Sequence, residues 1–155
     1  MEFADYHAIH KLITTYAQYA DEGDVRSIAR HYARCRLINP DGSVFDVAER
    51  GSDAYFDWYS RIIKFDPRSG RPRTRRMVGT IIIDDEGPLR AKAQHCIICF
   101  QATDTLPLQP IAAATLYDRF EKIDGTWWIV ERREDLELVG DLSHHVFLDR
   151  VSNHS

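Results

Sequence analysis

The sequence predicts an α+β fold, a cone-shaped barrel in which a curved antiparallel or mixed sheet wraps around N-terminal helices. Apolar residues recur at helical spacing over about the first 65 residues, and β-type runs take over from residue 76. Turn sequences join consecutive extended runs, which favours hairpins over alternating helices and strands. The 155 residues fit one domain, residues 1–155, that is large enough to bury its own core.

The first two helices are predicted from an apolar stripe and from the residues at their ends. Helical spacing places the first over about residues 5–20. Gly23 should end it, and Asp24 is well placed to cap a second helix over residues 25–32. The stripe of the first helix consists of Ile9, Leu12, Ile13, Tyr16 and Ala20.

A third helix is predicted over residues 53–65, with Ser52 as its N-terminal cap. Its apolar side carries an aromatic group that belongs either to the core or to a lid over a pocket. These aromatic residues are Tyr55, Trp58 and Tyr59, and we predict that they contact a substrate.

Extended segments make up the remainder of the chain. Two short ones, RLIN and SVFDVA, flank a Pro-Asp-Gly turn before the third helix. Four long ones follow, with the sequences RMVGTIIID, LRAKAQHCIICFQAT, IAAATLYDRFEKI and TWWIVERRED. A sheet that is apolar on one face must curl over the helices, and the resulting cone is a natural pocket for a small apolar ligand.

The composition is that of an ordinary globular protein, with 44% apolar and 28% charged residues and a formal net charge of −4. This acidic balance gives no electrostatic case for binding nucleic acid. The start, MEFADYHAIHK, lacks the basic and apolar regions of a signal peptide, and no apolar run approaches the roughly 18 residues that cross a bilayer. We therefore expect a cytoplasmic protein with no membrane or nucleic-acid partner.

Cys96 and Cys99 form a CxxC sequence, which invites a metal or redox interpretation. They fall within a predicted strand, where side chains three positions apart point to opposite faces. Two thiols on opposite faces cannot hold one ion, so we expect no metal site here.

The order of several short motifs resembles the SnoaL-like polyketide cyclase and dehydratase family of the nuclear transport factor 2-like superfamily. The motifs are TYAQYADEGD, LPLQPI, DRFEKIDGTWWIVERR and DLELVGDLSHH. The resemblance implies a cystatin-like cone and acid–base chemistry on a small-molecule substrate without a metal or organic cofactor, as in scytalone dehydratase, ketosteroid isomerase and bile-acid dehydratases. It also implies a homodimer or higher homo-oligomer, because relatives usually pair sheet against sheet.

The chain departs from the family pattern at residues that are often functional. Arg76 occupies the position of a histidine, and Thr80 that of an asparagine. In AATLYDRFE, which matches a Gly-x-Tyr-His-Asp motif of relatives, Asp118 is kept but the histidine and tyrosine are missing. An arginine cannot serve as a base near neutral pH, so the resemblance implies that Arg76 clamps an anion and Asp118 contacts substrate.

Asp21 and Tyr16 are predicted catalytic residues on the first helix. Asp21 falls where dehydratase-like relatives keep an aspartate, and it would orient a base or act as one; the alternative is a surface acid in a polar turn. The Tyr16 hydroxyl would support an oxyanion, as in ketosteroid isomerases, unless it is a core tyrosine. Tyr32 has the same two interpretations and is predicted to bind substrate.

His95 is the predicted acid/base. Strand alternation places it on one face with Ala91, Ala93, Ile97 and Cys99, and small residues there leave room for a ligand. The imidazole would replace the missing family histidines, and Cys99 would contact substrate. The alternative is a core histidine bonded to a neighbouring strand. His144 and His145 are interpreted as terminal surface or interface residues.

An arginine-rich stretch precedes the first long strand, and it either lines an anion site at the pocket mouth or is a solvated loop. Taken together, the sequence predicts a lyase or isomerase that acts on a small, apolar, oxygenated substrate. His95 would be the acid/base and Asp21 its orienting group. Two alternatives stay open: a non-catalytic ligand-binding or assembly protein, and the small subunit of a ring-hydroxylating oxygenase.

Overall fold

A computed structural model describes residues 1–151 as helices packed on the concave face of one sheet. The helices are α1 (Phe3–Glu22), α2 (Val25–His31), α3 (Val47–Arg50), α4 (Ser52–Ile62) and α5 (Leu148–Val151). The strands are β1 (Arg36–Ile38), β2 (Val44–Asp46), β3 (Thr74–Asp85), β4 (Arg90–Gln101), β5 (Gln109–Ile123) and β6 (Thr126–Val139). The predicted α+β architecture is confirmed.

The sheet is mixed and curved, and its strand order is β2-β1-β6-β5-β4-β3. The four long strands pair antiparallel in chain order, whereas β1 pairs parallel with β6. Hairpin connections of the kind expected from the turn sequences join the long strands. The two short strands therefore extend the β6 edge of the sheet.

Helix ends near the N-terminus follow the predicted turn chemistry. Gly23 ends α1 with φ of 71°, and a Cβ atom there would collide with the carbonyl oxygen of Gly70. The carboxylate of Asp24 accepts a hydrogen bond from the backbone N–H of Ser27 at 3.0 Å and caps α2. Both predictions are confirmed.

Two details of the segment before α4 were predicted wrongly. Gly51, not Ser52, is the N-cap of α4, and no side chain caps this helix. The expected strand SVFDVA ends at Asp46, whose carboxylate accepts from the backbone N–H of Glu49 at 3.1 Å. This cap starts the short helix α3 and brings the chain to Gly51, where φ is 93°.

The concave face of β4 is occupied as the alternation predicts. Buried residues on this face are Ala91, Ala93, His95, Ile97, Cys99 and Gln101. Cys96 points to the other face, where its sulfur lies 3.3 Å from the carbonyl oxygen of Gly79. The two cysteines of the CxxC sequence therefore face opposite sides of the sheet.

A β-bulge in β6 changes which of its residues face the helices. Ile129 pairs with Phe120 and Glu131 with Arg119, which leaves Val130 as an extra residue. Before the bulge Trp127 and Ile129 are buried, and after it the even-numbered Arg132 takes the inward position. One inserted residue thus reverses the alternation that a regular strand would have.

The convex face carries a row of exposed apolar side chains. Met77 pairs with Ile98, Ile98 with Ala113 and Ala113 with Leu138, so the row crosses four strands. Met77 is 57% exposed and Leu138 68%. The expected homo-oligomer stays a prediction, and this row is the surface on which a sheet-to-sheet contact would form.

Within residues 1–151, no helix is both long enough and apolar enough to span a bilayer.

Candidate active site

A cavity of about 360 Å³ lies between the helices and the concave face of the sheet. Helices α1 and α4 and the residue that follows α2 supply one wall, and the long strands supply the other. The segment after β6 completes the lining. The aromatic lining residues are Tyr16, Tyr32, Tyr55, Trp58 and Tyr59, and the ionisable ones on the sheet and the C-terminal segment are Arg76, Cys99, Arg132, Glu134 and His145. A cavity of this size accommodates a small organic molecule.

The helical wall is a cluster of aromatic rings. The Tyr32 ring centroid lies 5.6 Å from that of Tyr16 and 5.6 Å from that of Tyr55, and Tyr55 stacks on Tyr59 at 5.7 Å. Burial raises the pKa values of all four tyrosines, so their hydroxyl groups stay protonated near neutral pH and can donate hydrogen bonds.

Arg132 is the centre of a buried network on the sheet wall. Its Nε and Nη2 donate to the two carboxylate oxygens of Asp118 at 2.7 and 2.6 Å, and Nη1 donates to the Tyr32 hydroxyl oxygen at 2.6 Å. Burial by itself would raise the pKa of Asp118, but the Arg132 guanidinium outweighs it and holds this pKa at about 2. The pair is therefore ionised although it is buried.

His95 does not line the cavity, contrary to its expected position as the acid/base. The ring is 1% exposed, and its Nε2 lies 3.0 Å from a carboxylate oxygen of Asp118. This contact holds the imidazole within the sheet wall beside Leu116, which does line the cavity. Asp118, predicted to contact substrate, is likewise fully enclosed by Arg132 and His95 and does not line the cavity.

Asp21 lies on the far side of Arg76 from the cavity. Its carboxylate accepts from Nη1 of Arg76 at 2.9 Å, from the Arg76 backbone N–H at 2.8 Å and from the Thr74 hydroxyl at 2.9 Å. Asp21 and Thr74 border a separate groove on the outside of the barrel, and Arg76 borders both spaces. Of the predicted catalytic residues Asp21, His95 and Arg76, only Arg76 therefore borders the cavity.

The remaining predicted contacts lie at the cavity. Tyr16 and the five residues predicted to bind substrate apart from Asp118 all line it: Tyr32, Tyr55, Trp58, Tyr59 and Cys99. Their positions agree with the prediction, while their roles in binding or catalysis stay predictions.

Glu134 is a cavity residue that the sequence interpretation missed. It follows Arg132 on the same face of β6, and within residues 1–151 its carboxyl group has neither a hydrogen bond nor an ion pair. Burial raises the pKa of Glu134, although Arg132 and Arg76 oppose this shift. A regular alternation from Trp127 and Ile129 would have placed Glu134 outside, so only the bulge at Val130 reveals it.

His145 is the second residue that was missed. It was interpreted as a surface or interface residue, but it is only 8% exposed and lines the cavity. Backbone hydrogen bonds hold its segment against the end of α4, from Lys64 N–H to the His145 carbonyl at 2.8 Å and from Phe147 N–H to the Ile62 carbonyl at 2.9 Å. The ring Nε2 lies 3.3 Å from Nη2 of Arg76. No periodic pattern covers this segment, and the motif DLELVGDLSHH that contains His145 does not indicate that the ring turns inward.

Solved structures described as having a cystatin-like fold share this architecture. A family model described as a SnoaL-like domain matches residues 1–133, and the chain belongs to this SnoaL-like family. Glu134 and His145 lie beyond the matched residues. Among curated proteins, none matches the chain in sequence.

Solved structures with the same fold cover most of the chain. A protein of unknown function with a cystatin-like fold from Nostoc punctiforme has 17% identity and a TM-score of 0.70, covering 92% of this chain and 98% of its own. An NTF2-like protein from Novosphingobium aromaticivorans has 16% identity and a TM-score of 0.68, covering 86% and 82%. A provisionally named scytalone dehydratase from the same organism has 17% identity and a TM-score of 0.67, covering 89% and 87%. At these identities the likeness extends to the fold alone.

Because Arg132 is paired with Asp118, we expect mutations on the two faces of β6 to lower the free energy of unfolding by different amounts. Arg132→Met removes a buried positive charge and leaves the Asp118 carboxylate uncompensated, so we expect a loss of about 3–5 kcal/mol in the free energy of unfolding. Arg133→Met is the matched control, because Arg133 is exposed, stacks on Tyr117 and makes only a surface ion pair with Asp135 at 3.6 Å; its cost should stay below about 1 kcal/mol. Urea unfolding measures both, and equal costs would contradict the network.

The buried ring of His145 predicts a loss of stability in mild acid. Burial and the neighbouring Arg76 lower its pKa from 6.5 to about 3, so between these values only the unfolded chain takes up the proton. The free energy of unfolding therefore keeps its full value with respect to this group above pH 6.5 and decreases as the pH falls toward 3. Between about pH 6.5 and about pH 5 the loss should amount to about 1–2 kcal/mol.

Urea unfolding of wild type, His145→Phe and His144→Phe at about pH 7 and about pH 5 isolates this contribution. The stability of His145→Phe should fall less between the two conditions than that of the wild type. His144→Phe, which alters the adjacent and more exposed ring, should keep the wild-type dependence. If His145→Phe kept it too, the ring would not be buried in its neutral form.

Proposed function

We propose that this SnoaL-like protein is an acid–base enzyme, a lyase or isomerase, that acts on a small and mostly apolar oxygenated compound. One observation carries the proposal: Glu134 is a half-buried ionisable group that lines the cavity, and it has no partner among the described residues. Carboxylates withdrawn from solvent for structural reasons are usually paired, as the fully buried Asp118 is here. A carboxyl group with a raised pKa and no partner is suited to exchanging protons with a ligand.

The lining supports an apolar, ring-containing substrate. Aromatic rings of the helices form one wall, and small or aliphatic side chains such as Ala114, Ile97 and Leu116 form much of the opposite one. The volume of about 360 Å³ corresponds to a ligand of one to three fused rings rather than to a polymer. The two walls together favour flat molecules that stack on tyrosine and tryptophan.

Tyr32 is the hydroxyl group best prepared to stabilise an oxyanion. Its oxygen accepts a hydrogen bond from the Arg132 guanidinium at 2.6 Å, and this contact makes its own O–H a stronger donor. Its pKa is raised by burial, although Arg132 opposes the shift, so the hydroxyl keeps its proton. Tyr16 adjoins it and offers a second hydroxyl.

The proposed step is proton abstraction next to a carbonyl group. The Glu134 carboxylate takes a proton from the α-carbon, and the electron pair moves into the carbonyl to give an enolate whose oxygen accepts from the tyrosine hydroxyls. Return of the proton from Glu134 to a different carbon atom gives an isomer. In the elimination the carbonyl re-forms, the bond to a β-hydroxyl group breaks, and the hydroxyl takes the proton from Glu134 and leaves as water. Both outcomes restore the Glu134 carboxylate and need no oxidant.

Arg76 is less suited to clamping an anion than the sequence suggested. Its charge is already compensated by Asp21, and one of its amino groups contacts His145. His95 is replaced as the proposed acid/base by Glu134, because the imidazole does not border the cavity. A second candidate function is ligand binding without turnover, which is favoured by the arginine at the family's histidine position.

Deuterium exchange at α-carbons tests the proposal without knowledge of the natural substrate. Wild-type protein is incubated in D₂O with 1-tetralone, 1-acetonaphthone or 2-acetonaphthone, and exchange is followed by proton NMR. We expect catalysed exchange in the wild type and a decrease of about 10²-fold or more in Glu134→Gln, which keeps the shape of the side chain and cannot accept the proton as a carboxylate.

Glu137→Gln is the matched control, because it makes the same chemical change on the exposed part of the same strand. Its exchange rate should equal that of the wild type. Equal rates in Glu134→Gln and Glu137→Gln, or no exchange above the buffer rate in the wild type, would contradict acid–base catalysis by Glu134. Binding of these ketones without exchange would support the non-catalytic alternative.

A further inference from the structure

The guanidinium group of Arg76 lies between the cavity and the groove on the outside of the barrel, and Asp21 holds it there. Nη1 of Arg76 donates to the Asp21 carboxylate at 2.9 Å and to the Thr74 hydroxyl oxygen at 3.0 Å. The same carboxylate accepts from the Thr74 hydroxyl and from the backbone N–H of Arg76, so three donors fix it. Only 8% of the arginine side chain is exposed, and within residues 1–151 Asp21 is its one ion-pair partner.

Two carboxylates among the described residues line the cavity that Arg76 borders, and they differ in their bonding. Asp41 lies in the turn between β1 and β2, where it accepts hydrogen bonds from the backbone N–H and the hydroxyl of Ser43. Glu134 has no partner in the described part of the chain, and the charge of Arg76 acts on it, because Arg76 lowers the pKa of Glu134 against the effect of burial. Without Asp21, an uncompensated guanidinium would therefore face Glu134 in the same cavity.

The remaining ionisable groups around Glu134 supply no free cation near pH 7. Arg132 already binds both oxygens of Asp118. Burial raises the pKa values of the tyrosines and the thiol, and burial with Arg76 lowers the pKa of the histidine to about 3, so all of them are uncharged. These uncharged groups are Tyr16 on α1, Tyr32 after α2, Tyr55 and Tyr59 on α4, Cys99 on β4 and His145 after β6. Strand β5 adds only apolar side chains to the lining.

We propose that Asp21 is a positioning residue for the Glu134 base. By holding and compensating the Arg76 guanidinium, it prevents an ion pair between Arg76 and Glu134 and leaves the Glu134 carboxyl group free to exchange protons with a ligand. The inference rests on the proposed function for the role of Glu134. It adds to that function a residue that does not itself line the cavity.

Four proteins separate the two charges of the pair: the wild type, Asp21→Asn, Arg76→Gln and the double variant Asp21→Asn/Arg76→Gln. Asparagine and glutamine keep hydrogen-bonding groups of similar shape. Carbon-13 NMR of labelled glutamate carboxyls gives the pKa of Glu134 in each protein, and Glu134→Gln in the same background assigns the signal. We expect this pKa to be lowest in Asp21→Asn, where Arg76 is uncompensated, and highest in Arg76→Gln, where Asp21 is uncompensated. The double variant should lie at or above the wild type.

The pH dependence of deuterium exchange from 1-tetralone is a second readout, which a merely structural role of Asp21 would not move. In Asp21→Asn the pH at which exchange sets in should decrease together with the pKa of Glu134. The exchange rate near pH 7 should fall by about threefold or more, because a weaker base abstracts the proton more slowly. The double variant should restore both values.

Glu22→Gln is the matched control for Asp21→Asn. Glu22 is exposed, borders the outer groove at the same end of α1 and accepts a hydrogen bond from Gln18 rather than from Arg76. Its replacement removes one negative charge from the helix end without touching the pair. The Glu134 titration and the exchange profile should equal those of the wild type, and circular dichroism checks that every variant is folded.

An unchanged pKa of Glu134 in folded Asp21→Asn would overturn the inference, as would a decrease that the double variant does not reverse. If Asp21→Asn does not fold, Arg76→Gln is compared with the double variant: a higher pKa of Glu134 in Arg76→Gln supports the action of Asp21, and equal values overturn it. The titrations need no turnover. Absence of catalysed exchange in the wild type would remove the proposed function and leave the order of pKa values intact, whereas exchange that depends on Glu134 but not on Asp21, with an unchanged Glu134 titration, removes only this inference.

Discussion

Two guanidinium groups are buried between the sheet and the helices, and each must keep its own carboxylate. Arg132 binds both oxygens of Asp118, and Arg76 binds Asp21. An unpaired charge at this depth would cost several kcal/mol, so the pairs fix the elements that carry them. The second pair ties the end of α1 to the start of β3, and the first ties β5 to β6 and, through Tyr32, to the end of α2.

These pairs also explain the character of the cavity. The carboxylates lie behind the arginines, so the cavity is lined by guanidinium edges whose charges are already compensated. Glu134 then stands out, because its carboxyl group has neither a hydrogen bond nor an ion pair among the described residues. The same residues that hold the barrel together thus leave one proton acceptor for a ligand.

The sequence predicted helix boundaries and strand alternation, which depend on local chemistry. It did not predict the β-bulge or the path of the segment after β6, which depend on irregular geometry. Gly23 and Asp24 determine a helix boundary through backbone conformation and capping, and alternation along β4 places His95 inside. Alternation does not show whether an inward-facing side chain reaches the cavity, and the contact with Asp118 holds His95 away from it. The extra residue Val130 reverses the alternation in β6. A regular strand pattern therefore places Arg132 and Glu134 on the wrong face of the sheet. His145 lies in a segment without periodicity, so only tertiary packing reveals it.

The central claim is that Glu134 is a half-buried, unpaired carboxyl group that lines the cavity within reach of a ligand, and its pKa tests this most directly. Carbon-13 NMR of protein labelled at glutamate side-chain carboxyls resolves individual titrations, and Glu134→Gln assigns the signal. The account predicts that Glu134 titrates at a higher pH than the exposed glutamates, because burial raises its pKa. A Glu134 signal that titrates with the exposed glutamates, or below them, would mean that the group is solvated or paired and would contradict the account.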